Sequence, residues 1–137
     1  MSVIITESSK DSEQVYLGIY PMFQIIDLSS NDFSGDIPDI IGNLIGLASL
    51  NLSNNHFTGE IPSSLANING LEELDLSQNM LSGKIPGKFR SLPILEMFNV
   101  SHNRLVGSIP QGVQFNTFDK SSFIGNLALH GPPLSNP

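Results

Sequence analysis

The stretch "NLSNNHFTGEIP", from Asn51 to Pro62, decides the fold because the chain repeats it. Close copies are "DLSSNDFSGDIP" from Asp27, "DLSQNMLSGKIP" from Asp75 and "NVSHNRLVGSIP" from Asn99, so the four copies are evenly spaced. A fixed period of about 20–50 residues is the sequence signature of stacked structural repeats. The repetition therefore indicates an architecture, and the positions that differ between copies are the ones expected to carry function.

Each copy supplies the same residue type at the same place. The repeated polar and special positions are Asn31, Asn55, Asn79, Asn103; Gly35, Gly59, Gly83, Gly107; and Pro38, Pro62, Pro86, Pro110. The repeated apolar positions are Phe23, Leu47, Leu71, Leu95; Ile26, Leu50, Leu74, Phe98; Leu28, Leu52, Leu76, Val100; and Phe33, Phe57, Leu81, Leu105. A single coil cannot bury such a face alone, so stacking is required.

One unit can be interpreted physically. The alternation in "LDLS" predicts a half-buried strand whose leucines point inward. The asparagine that follows has donors and an acceptor for backbone groups of neighbouring coils, so an inward ladder of Asn31, Asn55, Asn79 and Asn103 is expected. Glycine allows a left-handed turn, and proline suits the bend that follows. The unit predicts a curved parallel sheet with turns or short helices outside.

Composition disfavours several classes of function. The chain has 137 residues and a formal net charge of -7, which is unsuited to nucleic acid or to anionic membranes. It contains no cysteine, so thiolate metal sites and disulfides are not available. Its three histidines have no metal-ligand spacing, and no catalytic or nucleotide-binding motif occurs. We expect no enzymatic activity, no metal and no cofactor.

An acidic cluster leaves two interpretations open. Glu72, Glu73 and Asp75 could serve acid–base chemistry or calcium binding. The favoured interpretation is a solvated acidic strand face, which is how runs of charge usually behave.

The ends of the chain are off the period. Residues 1–22 carry two β-branched and aromatic runs around a polar stretch, which predicts a hairpin over the first coil. Residues 23–116 are the four repeats, and residues 117–137 are a cap and a frayed tail. Phe115, Phe118, Phe123 and Ile124 are expected to shield the last coil. The sequence predicts no signal peptide and no transmembrane segment in the chain.

The repeat resembles LxxLxxLxLSxNxLxGxIPxxLxxL, the plant-type leucine-rich repeat, from Phe23 to about Asn116. The tail is similar to the last repeat and cap of plant receptor-like proteins, although His130 stands where the family usually has a cysteine. The resemblance implies an α/β solenoid: a short right-handed coil with a concave parallel β-sheet and a mostly irregular convex side. It also suggests a membrane-proximal fragment or a shortened product of a longer receptor.

The resemblance implies protein recognition at the extracellular face of the plasma membrane. A protein or peptide ligand and a co-receptor kinase ectodomain would be the partners. The alternatives are a secreted inhibitor of cell-wall-degrading enzymes, similar to polygalacturonase-inhibiting proteins, and a non-functional truncated product.

Candidate binding residues are the outward positions of the strands and their neighbours. On the concave face these are Ile25, Asp27, Ser49, Asn51, Glu73, Asp75, Met97, Asn99 and His102, with a serine column at Ser29, Ser53, Ser77 and Ser101. A lateral flank for a co-receptor would contain Lys84, Lys88, Arg90 and Arg104. Acidic and basic groups are thus expected on different arcs of the coil. Asn51 and Asn99 begin sequons and are candidate glycosylation sites.

Overall fold

The structure, a computed structural model, describes the backbone of residues 2–7 and 14–18, and the backbone and side chains of residues 24–134. Phe23 and residues 135–137 lie outside the described residues. The strands are β1 Ser2–Glu7, β2 Gln14–Gly18, β3 Ile25–Asp27, β4 Phe33–Asp36, β5 Ser49–Asn51, β6 His56–Thr58, β7 Glu73–Asp75, β8 Ser82–Gly83, β9 Met97–Asn99, β10 Arg104–Ser108 and β11 Ala128–His130.

The predicted parallel sheet is confirmed. Strands β3, β5, β7 and β9 form it in that order, and we call it the concave sheet. Its register is that of the sequence period, since Leu50 lies opposite Leu74 and Leu74 opposite Phe98. The central residue of each strand is buried and its two neighbours face outward. The repeat therefore places equivalent side chains side by side on one face.

A second set of strands was not predicted. β4 pairs with β6, β8 with β10 and β10 with β11, all in parallel, and a bridge from Glu60 to Ser82 joins the two groups. We call this the lateral sheet. Gly35 lies opposite Phe57 rather than opposite Gly59, because each strand is offset by two residues from the sequence period. β1 pairs antiparallel with both β2 and β4, so the N-terminal strands extend the lateral sheet at its first edge. The division of the chain at residues 22 and 116 stays a prediction.

Short 3₁₀ helices form the outer side, in agreement with the expected bends after proline. Asp39–Asn43, Ser63–Asn67 and Gly87–Ser91 each begin directly after a repeated proline. Two further helices, Phe115–Thr117 and Lys120–Ser122, follow the last repeat. Proline suits this position because its ring fixes φ in the range that a helix start requires and it has no N–H to leave unpaired.

The core runs through the coil between these layers. Phe33 stacks on Phe57, with ring centroids 6.4 Å apart, and the column continues with buried Leu81 and Leu105. At the C-terminal end an aromatic cluster closes the coil; its members are Phe89, Phe98, Phe115, Phe118 and Phe123.

Ile124 does not belong to that cap. Its side chain is 40% exposed, whereas Phe123 beside it is fully buried. Phe123 directly follows the Lys120–Ser122 helix with a φ of -125° and a ψ of -15°, so the chain turns between the two residues. Because Ile124 accepts a backbone hydrogen bond from His102, it continues the path of the concave sheet and its side chain faces outward.

The asparagine ladder holds neighbouring coils together. Asn55, Asn79 and Asn103 are buried, and each bonds backbone groups of its own coil and of the preceding coil. Asn31 is an exception to the predicted inward column: it is exposed, because it belongs to the first coil, and its Nδ2 donates to the carbonyls of Leu28 and Ser29 in that coil.

The ladder has a further rung that the sequence analysis missed. Asn126 is buried, and its Oδ1 accepts from the Leu105 N–H at 3.0 Å. Its Nδ2 donates to the carbonyl of Val100 in the preceding coil and to that of Phe123. Asn126 lies one residue closer to Asn103 than the regular spacing of the ladder asparagines, so aligning the repeats did not reveal it.

Candidate functional site

The outward side chains of the concave sheet form columns one strand apart. The first column is Ile25, Ser49, Glu73 and Met97, and the second is Asp27, Asn51, Asp75 and Asn99. Adjacent strands lie about 4.8 Å apart, so each column presents side chains at that spacing. The structure thus brings eight of the nine predicted face residues onto one sheet.

The second column is fixed in place by its own backbone. The Oδ1 atom of Asp75 accepts from the N–H of Ser77 at 3.0 Å and from its hydroxyl at 2.7 Å. Asn99 makes the same pair of bonds with Ser101. Each bond removes rotamer freedom from a side chain that faces outward, so the surface is pre-organised.

These bonds also correct the predicted role of the serines. Ser77 and Ser101 are buried, while Ser29 and Ser53 are only half-buried. The serine column therefore supports the second column from beneath, and its two buried members offer no surface for binding.

Asp27 shows the electrostatic effect of this arrangement. The Ser29 hydroxyl and then the Ser29 N–H donate to its carboxylate, and these bonds hold the pKa of Asp27 below its ordinary value. In the first column, the Ser49 hydroxyl donates to Glu73 at 3.1 Å. Hydrogen bonds therefore hold the carboxylates of Asp27 and Glu73 at defined positions on the face.

Apolar side chains flank the acidic centre. Ile25 is 70% exposed at one edge of the sheet and Met97 is 38% exposed at the other. Glu73 and Asp75 lie between them on β7. A ligand would meet a polar, acidic centre with an apolar contact at each end.

A third column lies beside the strand ends. Ser30, Asn54, Gln78 and His102 all have a φ between 55° and 58°, in the left-handed region. This conformation turns the chain from the concave sheet toward the ladder asparagine that follows. The His102 side chain lies against Gly125, where a larger residue would clash with the imidazole. Sequence reasoning placed His102 near the face but gave no signal for the backbone strain, because none of the four residues is glycine.

The predicted basic flank is divided by the structure. Lys84, Lys88, Arg90 and Arg104 are all exposed. Lys84 and Arg90 line one depression beside the lateral sheet, whereas Lys88 and Arg104 are not among its lining residues. Acidic residues also occupy this side of the coil, since Asp36 and Glu60 hold the positions equivalent to Lys84. The expected separation of acidic and basic arcs is therefore incomplete.

Two further findings bound the chemistry of residues 24–134. No group of three or more histidines and carboxylates lies close enough there to hold a metal ion. Across the described part of the chain, no helix combines the length and the apolar character needed to cross a bilayer.

The repeated sequence matches a known protein-family model. The leucine-rich-repeat family model matches residues 23–81 and 45–105, which is more than half of the chain. No curated protein sequence matches the chain at a significant level.

Several solved structures are similar to the chain. A chain of the BIR3–SERK2 complex from Arabidopsis thaliana is 40% identical with a TM-score of 0.79, over 82% of this chain and 60% of that one. The BIR2 ectodomain from the same plant is 39% identical with a TM-score of 0.75, over 89% of this chain and 72% of that one. A chain from the Arabidopsis complex of HAESA, the peptide hormone IDA and SERK1 is 38% identical with a TM-score of 0.71, over 80% of this chain and 18% of that one. This chain thus spans less than two thirds of two of these three.

Proposed function

Since this chain belongs to the leucine-rich-repeat family, we propose that it is a protein-recognition module from the ectodomain of a plant cell-surface receptor. Its place would be the extracellular face of the plasma membrane, as part of a longer protein. Its roles would be perception of a peptide or protein ligand and association with a co-receptor kinase.

The observation that carries this proposal is the exposed, registered face of the concave sheet. Solenoids bind partners on such surfaces, where side chains project from a rigid scaffold at a fixed spacing. The bonds from Ser77 to Asp75 and from Ser101 to Asn99 hold that face in one arrangement before a partner arrives. Less conformational entropy is then lost on binding.

The similar structures support both partners. One is described as HAESA with the peptide hormone IDA and the co-receptor SERK1, another as RGFR1 with RGF2, and a third as a complex of BIR3 and SERK2. By analogy, a peptide ligand would contact the concave face of this chain, and a co-receptor would contact the flank of Lys84, Lys88, Arg90 and Arg104.

The concave face favours a ligand with a basic centre. Asp27, Glu73 and Asp75 lie on its strands, whereas no lysine or arginine occurs on β3, β5, β7 or β9. Charge complementarity of this kind increases association rates and selects among partners. Contacts with Ile25 and Met97 would add apolar burial at both ends.

The two sequons lie in the second column of this face. We propose Asn51 and Asn99 as glycan acceptors when the protein is secreted. If both are occupied, half of that column is covered and partners would dock on the lateral edges; if both are free, the column is open to the ligand proposed above. Mass spectrometry of protein secreted from plant cells, with Ser53→Ala and Ser101→Ala as site-specific controls, measures occupancy. Unmodified Asn51 and Asn99 in the secreted parent would contradict this proposal and leave the column open to a ligand.

Co-receptor association is tested by surface plasmon resonance with immobilised SERK1 and SERK2 ectodomains. The Lys88→Glu, Arg90→Glu double variant should associate about 3- to 10-fold more slowly than the parent at low salt, because exposed charges act mainly on the on-rate. A concave double variant, Glu73→Lys with Met97→Ala, should associate like the parent. Absence of binding by the parent would contradict the co-receptor role.

Ligand perception needs a separate measurement. A random-peptide display library is selected on the parent, and the enriched peptides are measured against the concave double variant. Peptides enriched in lysine or arginine that lose at least about tenfold in affinity on the variant would support the concave face. Enriched peptides that bind the variant unchanged would place recognition elsewhere.

A further inference from the structure

A groove made of neighbouring depressions lies beside the lateral sheet, across four coils. It consists of three depressions of about 600, 510 and 480 Å³. The first two share Asp39 and Glu60, and the last two share Lys84 and Ile85. Because neighbouring depressions have lining residues in common, they lie side by side along the axis of the coil.

Repeated glycines lie under three charged side chains that line the groove. In the position after each glycine, the side chains of Asp36, Glu60 and Lys84 lie over Gly59, Gly83 and Gly107 of the next coil, where a Cβ atom would clash with or crowd them. Each of these three glycines also has a φ between 75° and 84°, which other residues rarely adopt. These contacts place each of the three charged side chains against the next coil, at the depressions that it lines.

The charges change sign along the groove. The first depression is lined by Asp36, Asp39 and Glu60, and the third by Lys84 and Arg90. Asp36 and Lys84 are two coils apart, which is about 10 Å at the usual spacing of strands. The groove thus has an acidic end and a basic end, about three residues of extended peptide apart.

We propose that this groove binds an extended segment of another polypeptide that carries a lysine or arginine and, about three residues away, an aspartate or glutamate. A polyanion would be repelled at the acidic end, and a polycation at the basic end, so a segment with both signs fits best. Prolines line the groove at Pro38, Pro62 and Pro110 and offer no N–H. Recognition would therefore depend on side-chain charge rather than on addition of a strand. The inference rests on the recognition role proposed above and uses a face other than the concave one; its basic end, Lys84 and Arg90, is part of the flank proposed for the co-receptor.

The test is an NMR titration of the ¹⁵N-labelled full chain with three capped octapeptides. The first has a lysine and, three residues later, a glutamate; the second has lysine at both positions, and the third has glutamate at both. We expect saturable shifts of amides that line the groove, Gly59, Glu60 and Gly87, with the first peptide bound at least about threefold more tightly than the others. Raising the salt concentration should weaken that preference.

Variants of exposed residues provide the control. In Lys84→Glu with Arg90→Glu the groove is acidic throughout, so the peptide with two lysines should become the tightest binder. Lys88 lies on the same 3₁₀ helix as Arg90 but outside the groove lining. Lys88→Glu should therefore leave the order of affinities of the three peptides unchanged.

Four outcomes would overturn the inference, and the first three concern the binding itself. They are the absence of saturable shifts, equal affinities for the three peptides, and an unchanged order in the double variant. Shifts confined to the concave strands, for example at Glu73 and Asp75, would also overturn it while supporting the recognition role of that face. The two proposals can therefore fail separately.

Discussion

Replacing Asn79 with alanine tests the central rung of the asparagine ladder. Asn79 is 8% exposed, and its Oδ1 accepts from the Phe57 N–H at 3.0 Å. Its Nδ2 donates to the carbonyls of Leu52, Leu76 and Ser77 at 3.0–3.2 Å. The substitution removes all four bonds at once.

The four backbone groups that bond to Asn79 are affected unequally by the substitution. The Leu52 carbonyl keeps the Asn55 amide, and the Leu76 carbonyl keeps the Asn103 amide. The Ser77 carbonyl likewise keeps a backbone N–H. The buried N–H of Phe57 loses its acceptor, and an unpaired buried donor costs about 1–3 kcal/mol. With the small void left by the amide, we expect the free energy of unfolding to fall by about 2–3 kcal/mol.

The assay is thermal unfolding followed by circular dichroism. For a chain of this size the expected loss lowers Tm by about 6–12 °C. Asn31→Ala is the matched control: it occupies the same repeat position but is exposed, so its Tm should fall by less than half as much. If Asn79→Ala melts within a degree of the parent, the hydrogen bonds of the ladder do not stabilise the coil.

Asn126, Ser29 and residues 1–22 allow three further tests. Asn126→Ala should cost about as much as Asn79→Ala, and an unchanged Tm would show that the last rung is dispensable. Ser29→Ala should raise the pKa of Asp27 toward its ordinary value in an NMR titration, and an unchanged pKa would contradict the assigned cause. Because the pKa of Asp27 is lower in the folded protein than in the unfolded chain, ionisation of Asp27 stabilises the fold. This contribution is present above the unfolded-state pKa and is lost as the pH falls through the folded-state pKa. Deleting residues 1–22 should free the edge of β4 and cause self-association in light scattering, whereas a monomeric product would show that the segment protects no edge.

Features set by one residue in its own coil could be predicted from the sequence. Leu50 and Leu74 alternate with polar neighbours, so their inward direction follows from the strand period. Gly59 and Gly83 were expected to take a conformation that side chains disfavour, and both have positive φ. Local chemistry determines these positions, and repetition makes the pattern visible.

Features set between coils could not be predicted in the same way. The lateral sheet forms where strands such as Phe33–Asp36 meet the next coil with an offset of two residues, and no alternation of apolar residues marks it. The side chains of Asp36, Glu60 and Lys84 each rest on a glycine of the next coil, a contact that no single coil contains. Asn126 was missed because the last coil is one residue shorter than the period.

Alternation along the strands predicted which residues face outward on the concave sheet, but it did not predict that two of the serines beside them are buried. Asp75 and Ser77 are two residues apart on one side of the strand, and alternation alone assigns both to the surface. Only the hydrogen bond between them shows why the serine is buried beneath the carboxylate. Whether the face residues bind a ligand stays a prediction.

The asparagine ladder also gives the coil a direction of assembly. Each amide reaches backward: Asn79 accepts from Phe57, Asn103 from Leu81, and Asn126 from Leu105. A coil therefore obtains the acceptor for its own buried N–H only when the following coil has been added. During synthesis, which proceeds from the N-terminus, the newest coil at the ribosome would keep a hydrated, unpaired N–H until the next ladder asparagine had emerged. Folding would then advance one coil behind translation, and a nascent chain ending before Asn126 would have its last N–H open to solvent.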